Sequence, residues 1–444
     1  MAVSLAVGVM LARHTSHGVA LLLAVIYTPL VFLNLPLALV TWTSVVFIQN
    51  LPYVSFGPTV ALILIGVSYL GVASTQRDEI REVLNRHRRL FTTLFLFVAW
   101  TLLTALWATK PGLVGAEWWQ WLVSAVMFLI IATTINTRSA VKLVVGAYVL
   151  GGVLSVVVAV FYGGLHSSAT AVQTATSEEG RLSGGSGDPN YLAAGLVPAI
   201  VMATGLMYAV RSVVGRWAIV GAIGILGIGL AASESRGGLV AAVIALLAMT
   251  VFYRGARGQA LVWVAMAASV MAIWFSTSPD AWSRVTSFND AGNGRQDIWH
   301  VAWEISKDHP LAGVGLNNFR AVSPGYVRKP GALHYAALLA DHPHVVHNVY
   351  LQLLVETGVI GLGLFLAFLI GCIRIALRAA RRFEETGDRQ LAALSRATAV
   401  AIIGELAASF FISNGQDFRL WILLALTPVL VGVAGRSRKP ELAR

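Results

Sequence analysis

The sequence predicts an all-α polytopic membrane protein of about 12 (12–14) transmembrane helices, with a long, partly helical periplasmic loop before the last three spans. Three observations carry that expectation. Hydrophobic residues make up 57% of the chain and charged residues only 12%, against roughly 25% charged in a soluble domain. Apolar runs recur from end to end with short polar breaks between them, and the mean hydropathy is +0.73. Lysine and arginine crowd into alternate breaks. The 444 residues are read as one membrane domain, 1–444, because each crossing helix uses about 20 residues.

The first runs lie at 17–33 and 35–49, joined by the tight connection Leu33-Asn34-Leu35-Pro36, and residues 2–12 can add a further span or half-span. Met1 leads straight into apolar sequence without a basic leader, so the N-terminus is expected to be that of a mature membrane protein. Further runs fall at 58–74, 90–107, 117–135, 140–163, 191–210, 216–232, 237–253 and 259–277, and the last three at 346–371, 395–413 and 418–435. Most match the roughly 17–25 residues that cross the hydrocarbon core. The one cysteine, Cys372, excludes an internal disulfide and a cysteine-based metal cluster.

A net charge of +11 could suggest nucleic acid, but its distribution argues otherwise. The breaks from Arg77 to Arg89, at Arg138/Lys142, Arg211/Arg216 and Arg254/Arg257, from Arg374 to Arg396, and the tail from Arg436 hold 21 of the 32 Lys and Arg. Short basic loops stay cytoplasmic. Residues 372–394 are therefore expected to form a basic cytoplasmic loop, and residues 164–190 and 278–346 to form external loops. Membrane lipids are the expected surroundings, and nucleic acid is not an expected partner.

The external loop 164–190 is rich in Ser, Thr, Ala and Gly and reads as a surface loop in its first half. Its end is more specific, because Asp188-Pro189-Asn190 precedes a span and either Asp188 or Asn190 can cap it. The external loop 278–346 is too long to be structureless without a function. In it, Gly294-Arg295 opens a stretch with Ile298, Ala302 and Ile305 near helical spacing and Trp299 and Trp303 paired at i,i+4. That stretch predicts an amphipathic helix at the membrane surface, ending at His309-Pro310. A turn and a short element follow.

Six of the ten histidines lie in or beside this loop, at 300, 309, 334, 342, 344 and 347. His342, His344 and His347 admit a zinc site, a single catalytic base at the mouth of the next span, or interfacial histidines without chemistry. Three arginines face the same side in or beside apolar sequence: Arg236, Arg295 and Arg320. Arg236, in Ser235-Arg236-Gly237-Gly238, either snorkels to headgroups or grips a fixed anion such as phosphate. Arg295 stands at a helix start, where phosphates bind readily, although a solvated arginine is common.

Taken together, SRGG at the outer end of a span, DPNYLA opening an earlier one, GRQDIW near the start of the long loop, HPLAGVGLNNF within it and HNVYLQLLVETGVIGLGLF entering the next span resemble the O-antigen ligase and polymerase superfamily. The resemblance covers roughly residues 60–435. It implies a bundle of about twelve helices with a lateral cavity capped by the long loop. It also implies an inverting, metal-independent, cofactor-free glycosyltransferase at the outer face of a bacterial inner membrane. The donor would be a glycan on undecaprenyl diphosphate, and the acceptor a hydroxyl on a glycan or on lipid A core. By the same resemblance Arg236 and Arg295 bind the donor diphosphate and His347 is the general base. Arg320, Asp188 and Asn190 are further candidates for substrate binding. A repeat-unit polymerase would share the donor site. A small-anion transporter is the alternative of another class, although no inverted repeat of the carrier kind is visible.

Overall fold

Backbone amides and carbonyls cannot go unpaired in hydrocarbon, so a chain this apolar folds as helices. The computed structural model describes residues 25–49, 57–163, 181–184, 187–253, 295–327 and 345–436, with scattered positions between 258 and 277. Among them no strand occurs. Residues 25–33 form α1, followed by α2 (Leu35–Val45), α3 (Gly57–Thr75), α4 (Arg77–Arg86), α5 (Arg88–Leu103), α6 (Pro111–Thr134), α7 (Arg138–Val158), α8 (Pro189–Ala209), α9 (Val213–Ala232), α10 (Arg236–Phe252), α11 (Arg295–Asp308), α12 (Phe319–Val327), α13 (Val349–Glu385), α14 (Arg389–Ala408) and α15 (Phe418–Arg436).

Eight helices among the described residues are long and apolar enough to cross a membrane, or nine if α3 and α4, bent by 96°, count as one span. The apolar helices Leu35–Ile48 and Arg236–Phe252 are shorter. At 1.5 Å per residue, the 17 residues of α10 rise about 26 Å, less than the ~30 Å hydrocarbon core. The runs expected at 17–33 and 259–277 lie largely outside the described residues. At Asn34 the chain folds back, since the Tyr27 hydroxyl reaches the Ala38 carbonyl at 2.9 Å. Eleven residues of straight helix would separate those groups by about 16 Å.

The centre of the bundle is α8 against α14, flanked by α10, α13 and α15. Small residues permit this approach, as is usual between membrane helices. Gly205 faces Ala397, Gly404 faces Val197 and Ala245, and Gly238 faces Ala193.

One end of the bundle gathers the basic residues. Arg138 pairs with Asp388 (3.1 Å), Lys142 donates to Gln390 (2.7 Å) and Arg436 reaches the Asn136 carbonyl. The stretch expected as a basic loop over 372–394 is mostly helix. Helix α13 runs to Glu385, and only Thr386, Gly387 and Asp388 turn the chain before α14. Arginine and lysine are good helix formers, so charge there moves the chain out of the bilayer without ending the helix.

The span expected over 346–371 is broken at Gly358 (φ 69°, ψ −175°). The loop segment Pro310–Gly315 fills the break and accounts for its backbone groups. Val314 and Gly315 donate to the carbonyls of Val355 and Glu356, while Val359 and Ile360 donate to those of Pro310 and Leu311. The Trp100 indole takes the Thr357 carbonyl (2.9 Å). The segment HPLAGVGLNNF is thus built into the bundle and leads into α12.

Candidate functional site

At the end opposite the basic loops, four helices start close to one strip of chain, Ser409–Asn414, between α14 and α15. Asp188 caps α8, accepting from the amides of Asn190 (2.7 Å) and Tyr191 (3.1 Å). Asn190 has a different task. Its side-chain oxygen accepts from the Ser235 hydroxyl (2.8 Å) and from Arg181 (3.4 Å), which ties the start of α8 to the start of α10. Ser235 in turn caps α10 by accepting from the Gly238 amide (3.1 Å).

Arg236 is the first residue of α10 and is half-buried, and its neighbour Gly237 packs against Phe411 of the strip. Asn348 caps α13 through the amides of Tyr350 and Leu351 (both 3.0 Å). The Val349 amide donates to the Ser409 carbonyl (3.0 Å), so half-buried His347 also borders the strip. Helix α11 joins through Trp299, whose indole donates to the Val346 carbonyl (2.9 Å) and whose ring meets Phe410 edge-on at 5.7 Å. Arg295 begins that helix, one turn before Trp299.

An arginine in the first turn opposes the helix dipole, which favours anions there. Arg236 and Arg295 both occupy such positions, so each sets a guanidinium beside amides already inclined to bind an anion. Backbone strain collects here as well. Three described residues other than glycine have left-handed φ: Glu234 (49°), Asn317 (57°) and His347 (53°). Glu234 precedes the Ser235 cap, and His347 precedes the Asn348 cap. Such conformations cost on the order of 1–3 kcal/mol and cluster at functional sites.

The amphipathic helix expected after Gly294 is α11. Its Ile298, Val301, Ala302 and Ile305 build a small core with Val314, Phe319, Val346 and Val355. The two tryptophans part company, for Trp299 turns inward while Trp303 is 53% exposed. Arg320 is exposed on α12. The chain before it is anchored elsewhere, because Asn318 binds the backbone of Lys110 (2.7 and 3.3 Å). His334, His342 and His344 lie outside the described residues. Among the described residues no three of His, Cys, Asp or Glu gather into a metal-holding group.

Two groups of residues at this end escaped the sequence reading. Arg181 donates to the Ser233 carbonyl (3.0 Å) at the end of α9 as well as to Asn190. Arg419 is buried, paired with Asp417 and donating to the Tyr191 carbonyl (3.0 Å). Its guanidinium occupies the space a side chain at Gly195 would need. An arginine two residues inside the last apolar run was the available signal.

Residues 220–366, a third of the chain, match the family described as O-antigen ligase. The match contains Arg236, Arg295, Arg320 and His347, while Asp188 and Asn190 precede it and the strip 409–414 follows it. No curated protein matches the chain. The multi-pass helical bundle and the matched segment agree: residues 220–366 carry an O-antigen ligase family domain within a multi-pass helical bundle.

Proposed function

We propose that the protein transfers a glycan from undecaprenyl diphosphate to an acceptor hydroxyl at the outer face of the bacterial inner membrane, without a metal. The observation that carries this reading is the pair of first-turn arginines, Arg236 and Arg295. Both stand on helices that reach the strip bordered by His347.

In the proposed step His347 takes the proton of the acceptor hydroxyl as its oxygen attacks the anomeric carbon. The bond from that carbon to the diphosphate oxygen breaks, and undecaprenyl diphosphate departs with the electron pair. Direct displacement inverts the anomeric centre. Arg236 and Arg295 neutralise charge on the leaving diphosphate in a site partly shielded from water. Asn190 and Ser235 hold the start of α10 in place, and Asp188 fixes the start of α8. An exposed Arg320 suits a glycan or headgroup contact at the rim.

The test is transfer by purified protein from an undecaprenyl-diphosphate glycan. Arg236→Ala, Arg295→Ala and His347→Ala are each expected to lose activity while inserting normally, His347→Ala by about 10²–10⁴-fold. Full activity in His347→Ala removes it as the base. Loss of wild-type activity in EDTA removes the metal-free mechanism. A polymerase shares this donor chemistry and differs in its product, extended glycan repeats instead of a glycan on lipid A core.

A further inference from the structure

A cavity of about 360 Å³ opens at the same end between the residues that follow α2, the start of α6, the start of α8 and the 413–419 connection. Its volume lies in the range of small-molecule sites. Four amide side chains line it, those of Gln49, Gln120, Asn414 and Gln416. Two carboxylates, Glu117 and Asp417, and the aromatic rings of Tyr191 and Phe418 join them.

The charges in this wall are already committed. Arg419 is paired with Asp417, and Glu117 accepts from the Gln416 amide. The lining therefore leaves no cation to attract a phosphate, and its carboxylates disfavour any anionic ligand. Its hydrogen bonding is incomplete. Asn414, 2% exposed, uses its amide nitrogen on Glu405 (2.8 Å), yet its side-chain oxygen has no partner, and neither has the Ser413 hydroxyl. Unsatisfied buried polar atoms are uncommon in a folded protein and mark this wall as polar beneath its surface.

We infer that this cavity binds an uncharged sugar unit of a glycan substrate. Amides and carboxylates pair with vicinal hydroxyls, and the aromatic rings cover the apolar face of a pyranose. Ser413 and Asn414 also belong to the strip beside Arg236 and His347, so the cavity shares a wall with the proposed transfer centre. The inference deepens the glycosyltransferase reading and rests on it for the identity of the glycan. The sugar belongs either to the acceptor or to the donor's own glycan.

Binding can be tested without transfer. Cys372, the one native cysteine, is buried, so Gln120→Cys in the full chain offers a single reactive thiol at the cavity. p-Nitrophenyl glucoside is expected to slow maleimide labelling at that site at least threefold, and p-nitrophenyl glucuronide to leave it unchanged. Thr386→Cys, at the opposite end, should be indifferent to both. No protection, equal protection by both glycosides, or slowing at Thr386→Cys as well overturns the inference.

The kinetic arm assigns the source of the sugar. Gln49→Ala and Gln120→Ala should raise KM at least tenfold with kcat within threefold of wild type. A rise in KM for the acceptor identifies an acceptor subsite, and a rise for the donor identifies a donor glycan subsite. Unchanged KM for both substrates overturns the inference. A wild-type protein that transfers nothing defeats the proposed function and leaves the labelling result standing on its own.

Discussion

Arg419 and Asp417 form an ion pair whose side chains are 5% and 8% exposed. Removing one partner of a buried pair strands the other, which typically costs 3–5 kcal/mol. Arg419→Met and Asp417→Leu are each expected to lower the unfolding temperature in detergent strongly, and the double substitution to recover part of the loss. Additive losses in the double variant would show that the pair is not coupled. His87, at the basic end, is buried with its Nε2 unpartnered. Burial, and then Arg86, Arg382 and Arg378, push its pKa down to about 4. Above pH 6.5 the ring is neutral whether the chain is folded or not. As pH falls from 6.5 to 4 the unfolded chain takes up a proton that the folded chain refuses, so stability declines across that window by up to about 3 kcal/mol. His87→Phe should flatten the decline, as followed by unfolding temperature against pH. Single residues were legible in the sequence where local chemistry fixes them. Asp188-Pro189 announces a capped helix, and Asp188 is its cap. Arg419 was not legible, because its meaning lies in Asp417, Tyr191 and Gly195, which only the fold brings together.

At the scale of elements, most helices were readable because composition alone separates span from break. The broken helix α13 was not, since Gly358 sits in an apolar run that a continuous span would also contain. Its break depends on Pro310–Gly315 arriving from forty-odd residues earlier to satisfy the freed backbone groups. A residue with a side chain at Gly358 meets two obstacles. The φ of 69° with ψ of −175° is close to glycine-only territory, and a Cβ would collide with the Leu311 carbonyl. Gly358→Ala should therefore release the 310–315 segment and with it the α11–α12 unit that carries Arg295. The expected outcome is faster limited proteolysis within 278–346 and a loss of transfer of at least tenfold, with α14 and α15 still inserted. Unchanged proteolysis and activity would show that the break does not hold the loop.

For the whole molecule, the separation of charge between the two ends predicts an orientation. The end that joins Arg138 to Asp388 and Arg436 to Asn136 carries most of the described basic residues. The end bearing Arg236, Arg295 and His347 carries few, and there Arg419 is offset by Asp417. A basic residue is held on the cytoplasmic side during insertion, so the strip 409–414 and the cavity beside it are expected to face outward, the side the proposed transfer requires. The twofold asymmetry in Lys and Arg was visible in sequence because it needs only the order of the breaks. The convergence of four helix starts was not, because it depends on which helices pack together. Orientation can be read with two exposed positions and one impermeant reagent. Lys307→Cys on α11, 52% exposed, should label with a membrane-impermeant maleimide on intact spheroplasts. Thr386→Cys in the turn between α13 and α14 should label only after permeabilisation. The reverse pattern would turn the arginines toward the cytosol and separate them from an outer-leaflet donor, whatever their local geometry.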